Sequence, residues 1–120
     1  MLHGSLTERA GYALTEQLIT SNNPPSALLC ATDAMAIGAI AACRAHGLVV
    51  GQQVSVVGYG NSDAGQFCVP PLTTIAHDVQ NNGLHLAELL LTRLRSETPE
   101  QSHFLETVQI IPRASDGLLT

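Results

Sequence analysis

The sequence predicts an α/β fold, three-layered around a mostly parallel sheet, and three observations predict it. Short apolar runs suited to buried strands alternate with stretches of helical periodicity. The connections between them are short and punctuated by Pro, Gly, Asn and Asp. A length of 120 residues with 45% hydrophobic content suits one domain with its own core.

The elements follow in order. Ser5 and Glu8 have the spacing of a capping box, with Thr7 as a rival N-cap. Tyr12, Leu14, Leu18 and Ile19 continue a first helix, and Asn22-Asn23-Pro24-Pro25 ends it. Ala27 to Ala31 is a short apolar run expected to be a strand. Thr32-Asp33 offers an N-cap to a second helix carrying Met35, Ile37, Ile40 and Ala41, with Gly47 at a C′ position. Val54 to Val57 reads as a second strand, ended by Gly58-Tyr59-Gly60-Asn61. The stretch to Val69 reads as loop or a short helical turn, and Pro70-Pro71 blocks regular structure. Leu72 to Ile75 is a third strand. Asp78 caps a long helix from about Val79 to Arg95. Ser96 to Ser102 reads as a polar linker, Phe104 to Ile111 as a last strand, and the tail after Pro112 as loose.

Composition narrows the partners. Five Lys and Arg against ten Asp and Glu give a net charge of −5. The basic residues are all Arg and unclustered beyond Arg93 and Arg95, a poor footing for phosphate neutralisation. Only 12% of residues are charged, about half the usual share, so part of the surface is expected to be covered by another domain or subunit. Cys30, Cys43 and Cys68 are an odd, widely spaced set without C-x-x-C, as expected of free thiols in a reducing compartment. The N-terminus lacks the regions of a signal peptide, and no apolar run approaches the ~18 residues of a transmembrane span. The expected location is the cytoplasm.

Ligands of open α/β sheets bind beyond the carboxyl ends of the strands. Three such ends carry polar residues: Thr32-Asp33, Tyr59 to Asp63, and Ala76-His77-Asp78. One polar crevice is expected from them, although Asp33 and Asp78 also suit plain N-caps. Catalytic signals are weak. The sequence contains no G-x-S-x-G, H-E-x-x-H or Walker pattern, and Gly58-x-Gly60 lacks the third glycine of a dinucleotide loop. The five histidines are scattered, and His77 and His85 lie two helical turns apart, too far to chelate one metal on a regular helix. His46 near a helix end suits the helix dipole. The expectation is a non-enzyme with no cofactor and no metal. The helix from Val79 to Leu94 is apolar around much of its circumference, more than one sheet face covers.

Three motifs in register then carry a resemblance. Ala31-Thr32-Asp33-Ala34-Met35-Ala36-Ile37-Gly38-Ala39 resembles the N-D-x-M-A-x-G-A strand-to-helix motif of the lac and gal repressor family. Val54 to Tyr59 resembles its V-S-V-x-G-Y strand, and Pro70-Pro71-Leu72-Thr73-Thr74-Ile75 its P-P-L-T-T-I crossover. The resemblance spans about Gly4 to Arg113. It implies part of an effector-binding domain shaped like periplasmic sugar-binding proteins, the C-terminal lobe above all. Two lobes of such a domain close on a small, sugar-like effector and shift the binding of operator DNA by a helix-turn-helix headpiece.

On that resemblance the 120 residues form a partial effector-binding domain. Residues 4–78 are a second-lobe segment, 79–95 a helix of the first lobe, and 104–113 a return strand. The helix-turn-helix is expected to lie outside them, so operator DNA is a partner only through that other segment. Effector contacts are expected from Leu6, Thr32, Asp33, Gly60, Asn61 and His77. Thr32 stands where the family often has Asn, and Leu6 where many members have an aromatic. Gly60 stands where the family usually has an Asp that grips sugar hydroxyls or a nucleoside ribose. Homodimers or tetramers are expected, with Ile37, Ile40, Cys68 and Val69 at the interface; helical spacing alone also allows Ile37 and Ile40 in the core. A transport-type sugar-binding protein and a truncated, non-functional fragment are the alternative readings.

Overall fold

A computed structural model of the chain describes residues 1–95 and 105–117. The element order is α1 (Glu8–Ile19), β1 (Ala27–Leu29), α2 (Asp33–Ala45), β2 (Ser55–Tyr59), α3 (Asp63–Phe67), β3 (Thr73–Ala76), α4 (Val79–Leu94) and β4 (Gln109–Ile111). The chain divides into two compact units, one of Met1–Ala76 with Ile110–Thr120 and one of His77–Gln109.

The first unit holds one four-stranded sheet in the order β1-β2-β3-β4. β1 pairs with β2 in parallel, Leu28 opposite Val56, and β2 pairs with β3 in parallel, Gly58 opposite Thr74. Residues after β4 return past the start of β3: the Arg113 amide donates to Thr73 Oγ1 and the Ala114 amide to the Pro71 carbonyl. β4 therefore runs antiparallel to its neighbour.

α2 packs on β2 with one face and on α1 with another. Its buried residues Ala36, Ala39, Ile40 and Cys43 meet Val54, Val56 and Leu72 in the core. Small residues dominate α2, so it lies close to both neighbours. Two glycines set the helix–helix contact. A Cβ on Gly11 would overlap the Met35 carbonyl, and one on Gly38 would overlap the Glu8 carbonyl. The backbones touch where ordinary side chains would hold them apart.

Several local expectations are corrected. Thr7, not Ser5, caps α1; its hydroxyl accepts from the Ala10 amide at 3.2 Å, and Glu8 opens the first turn. The helix buries Gly11 and Thr15, because its partner is the small-residue face of α2. β2 runs on through Gly58 and Tyr59, which ladder with Thr74 and Ile75. β3 starts one residue later than expected, and Leu72 is a fully buried core residue ahead of it. β4 covers Gln109–Ile111 alone, since β3, its pairing partner, is four residues long. The expected start at Phe104 and the linker from Ser96 to Ser102 lie outside the described residues.

The tail after Pro112 is tied down rather than loose. Ser115 is fully buried. Its hydroxyl donates to the Val56 carbonyl at 2.6 Å and accepts from the Thr73 amide at 2.8 Å. Its carbonyl accepts from the Val56 amide, and Asp116 accepts from Thr73 Oγ1 at 3.0 Å. This stitch spans β2 and β3 and satisfies backbone groups that would otherwise be buried without partners.

Among its described residues, the second unit consists mainly of α4. Asp78 is its N-cap, accepting from the Asn81 amide at 2.9 Å, and the Asp78 amide donates to Glu106 at 2.8 Å. None of the residues of α4 is buried, and Leu84, Leu86, Leu90, Leu91 and Leu94 are exposed.

Candidate functional site

The carboxyl ends of β1, β2 and β3 lie side by side because the three strands are parallel. Beyond β1 the chain turns at Thr32 into α2. Thr32 is the N-cap, its hydroxyl accepting from the Met35 amide at 3.3 Å, and it is half-buried. Asp33 is the first helical residue instead of the cap, which frees its carboxylate for longer-range bonds. That side chain is 3% exposed. Oδ2 accepts from the Ser62 amide at 2.6 Å and Oδ1 from the Thr74 hydroxyl at 2.6 Å. The bonds reach the turn after β2 and the middle of β3, so Asp33 faces into the fold.

Beyond β2 the turn bends sharply. Gly60 has φ 124° and Asn61 φ 52°, both in the left-handed half of backbone space. A Cβ on Gly60 would meet nothing within 4 Å, so conformation rather than space favours glycine there. The Gly60 amide donates to the Ile75 carbonyl at 2.8 Å, and the Asn61 amide to Thr74 Oγ1 at 3.3 Å. The Asn61 side-chain oxygen accepts from Arg113 Nη2 at 2.7 Å, while Arg113 Nη1 donates to the Leu72 carbonyl at 2.7 Å. Asn61 therefore has its acceptor engaged and is itself exposed. Ser62 caps α3, accepting from the Gly65 amide.

Alongside these turns opens a largely apolar crevice of about 730 Å³. Leu6, Leu14, Leu28, Met35, Tyr59 and Ile75 line it. Of the expected effector residues, Leu6 is on its wall. Thr32, Asp33, Gly60 and Asn61 form the polar turns at the strand ends, and His77 belongs to the second unit. Arg113, Thr74 and Ser62 share in the polar network and were not among the sequence candidates. The signal that could have found Arg113 is a guanidinium in a stretch with few other charges. Thr74 gave no such signal inside an apolar strand.

Cys30, at the end of β1, also lines the crevice. Burial, and secondarily the neighbouring Cys43, push its thiol up to about 11. Burial likewise raises Cys43 and Cys68. Thiols held protonated are poor nucleophiles and poor metal ligands. Among the described residues there is no group of three His, Cys, Asp or Glu that could hold a metal ion, and no helix long and apolar enough to cross a membrane.

The expected interface residues fall in different places. Ile40 is in the core at 3% exposure, and Ile37 is half-buried on α2. Cys68 donates its S–H to the Gly65 and Pro70 carbonyls. Val69 is 67% exposed, its carbonyl accepting from Arg44 at 3.4 Å.

A mostly parallel sheet with polar turns at its carboxyl edge and a crevice beside them defines an α/β domain with a candidate ligand site. The family described as periplasmic binding protein-like domain matches residues 3–115, and the chain belongs to it. Within it the chain corresponds to part of the effector-binding domain of lac-type repressors, with their three-layer α/β fold. It is 36% identical over 116 residues to the HTH-type transcriptional repressor CytR of Escherichia coli strain K12, covering 97% of this chain and 34% of that protein. To the HTH-type transcriptional repressor PurR of Haemophilus influenzae strain PittEE it is 37% identical over 94 residues, covering 78% and 28%. The lac repressor dimer bound to operator and the anti-inducer ONPF superposes with a TM-score of 0.86 at 32% identity, covering 95% of this chain and 40% of that one. A regulatory protein of the LacI family from Chloroflexus aggregans gives 0.83 at 34%, covering 97% and 42%. The chain spans about a third of the length of the curated relatives. Those relatives are transcriptional repressors, not enzymes.

Proposed function

We propose that these residues are the effector-sensing portion of a lac-type transcriptional repressor, and that the effector is a sugar or related small metabolite. The observation that carries the reading is the pairing of polar turns at the ends of the parallel strands β1 and β2 with an adjoining apolar crevice, in a chain of this family. Its volume of about 730 Å³ falls within the range of small-molecule sites, about 300–1,000 Å³. Leu6 and Tyr59 supply apolar contact, and Thr32 and the Gly60–Asn61 turn supply hydrogen-bonding groups. Gly60 supplies no carboxylate, so the effector is held with fewer side-chain acceptors than an Asp there would give.

The helix Val79–Leu94 packs, on this reading, in the other lobe of a two-lobed domain, with residues 4–78 in the second lobe and β4 as the returning strand. Its exposed leucines, with no residue of the helix buried, support that assignment. Operator DNA is contacted through a helix-turn-helix segment that these 120 residues do not include, in a homodimer or tetramer acting in the cytoplasm. Exposed Val69 and half-buried Ile37 and Cys68 are the interface candidates that remain accessible to a partner, with Ile40 supporting them from the core.

Thermal unfolding against a panel of hexoses, pentoses and nucleosides tests the reading. A ligand at about 100 times its Kd stabilises by about 2.7 kcal/mol, well within detection. At least one member of the panel should raise the midpoint, and Leu6→Ala should weaken its binding without lowering the ligand-free midpoint. A panel that leaves the protein unmoved, also when tested in the full-length regulator, would sink the proposal.

A further inference from the structure

Asp33 is the buried acidic side chain among the described residues, and it is seated in a built socket. Gly58 on β2 leaves room for it, since a Cβ there would overlap Oδ1. Gly65 on α3 does the same; a Cβ there would stand 3.2 Å from Oδ2. Thr74 is the register partner of Gly58 across the β2–β3 ladder, which brings its hydroxyl beside the same socket. Thr74 is 0% exposed. Its hydroxyl proton goes to Asp33 Oδ1, so its oxygen is left as an acceptor, and the Asn61 amide donates to it at 3.3 Å. The next amide, that of Ser62, donates to Asp33 Oδ2 at 2.6 Å.

Two consecutive amides of one turn thus end on one buried pair. That turn contains Gly60 at φ 124° and Asn61 at φ 52°, a conformation that a chain of L-residues adopts at a cost and that persists when its surroundings over-determine it. We propose that Asp33 and Thr74 are a positioning pair: they hold the Gly60–Ser62 turn in its left-handed form and thereby shape the candidate effector site without touching the effector. The functional meaning of the pair rests on the reading of that turn as part of the site. The placement of the turn by the pair does not, and it can be measured in the ligand-free chain.

The experiment is amide hydrogen exchange by NMR on the ligand-free chain, in wild type, Thr74→Val, Thr74→Ser and Asp33→Asn. The Val56 amide, which donates to the Ser115 carbonyl across the tail stitch, serves as the internal reference. Thr74→Val removes the hydroxyl at nearly constant volume. It should speed exchange at Asn61 and Ser62 by about tenfold relative to Val56, as expected for loss of a buried hydrogen-bond link. Thr74→Ser keeps the hydroxyl and should restore wild-type ratios. Asp33→Asn should speed the same two amides, and if it fails to fold the two Thr74 variants still decide. Equal acceleration at all three amides, or none, in Thr74→Val overturns the pair as a positioning device. A panel without a ligand would remove the effector reading and leave the exchange result standing. Ligand binding combined with unchanged exchange ratios would remove the pair and leave the effector reading standing.

Discussion

Single side chains are where this sequence was partly readable. Thr32 and Asp78 stood at helix starts in the residue types that cap helices, and both do so. Asp33 looked like another cap, and its actual partners lie 29 and 41 residues away. No local pattern encodes such bonds, because they depend on which strand ends the sheet brings together. Cys30 carries a prediction at this scale. Burial raises its thiol from 9.0 to about 11. Between those values the unfolded state has lost the proton that the folded state keeps, so the unfolded state binds fewer protons and stability falls as pH rises. Urea midpoints should therefore decline from pH 9.0 to about 11, and Cys30→Ala should flatten part of that decline. Identical slopes for the two proteins would remove Cys30 as a contributor.

Elements were legible in kind and order, and less so at their ends. Among the described residues, alternating apolar runs and caps located the helices of eight or more residues and the four strands, but strand ends moved by a residue or more because ladder partners decide them. The packing of α1 on α2 was illegible. Glycine inside a helix reads as a weakness, whereas Gly11 and Gly38 are what allow the two backbones to meet. Gly38→Ala should destabilise the protein by about 1–3 kcal/mol, the cost of overpacking a tight contact, measured by urea unfolding. A neutral result would mean the helices separate freely. The tail was misjudged for a related reason. A Ser in a polar tail suggests solvent, yet Ser115 bonds to both β2 and β3. Ser115→Ala leaves the Thr73 amide buried without a partner and should cost about 1–3 kcal/mol in the same assay.

The whole molecule shows what the low charge content implied. A surface short of charges was expected to be covered, and α4 displays five exposed leucines with no residue of the helix buried. Such a face in water favours association. Sedimentation of the isolated 120 residues should show concentration-dependent self-association, accompanied by binding of a dye that reports exposed apolar surface. A monomer at all concentrations with no dye signal would mean α4 finds cover within the chain. The fold class was readable from the alternation of apolar runs and helical stretches, and the family from three motifs in register. The identity of the effector was not, since Gly60 and Leu6 depart from the family pattern at the positions that would have named it.

The stitched tail also has a consequence in time. Val56 is made 59 residues before Ser115, the residue that pairs with it. At a synthesis rate of about 5–20 residues per second, that interval is roughly 3–12 seconds. Throughout it the central strand of the sheet is on the nascent chain with its final partner unmade. That interval ends only when the turn carrying Ser115 has left the ribosome.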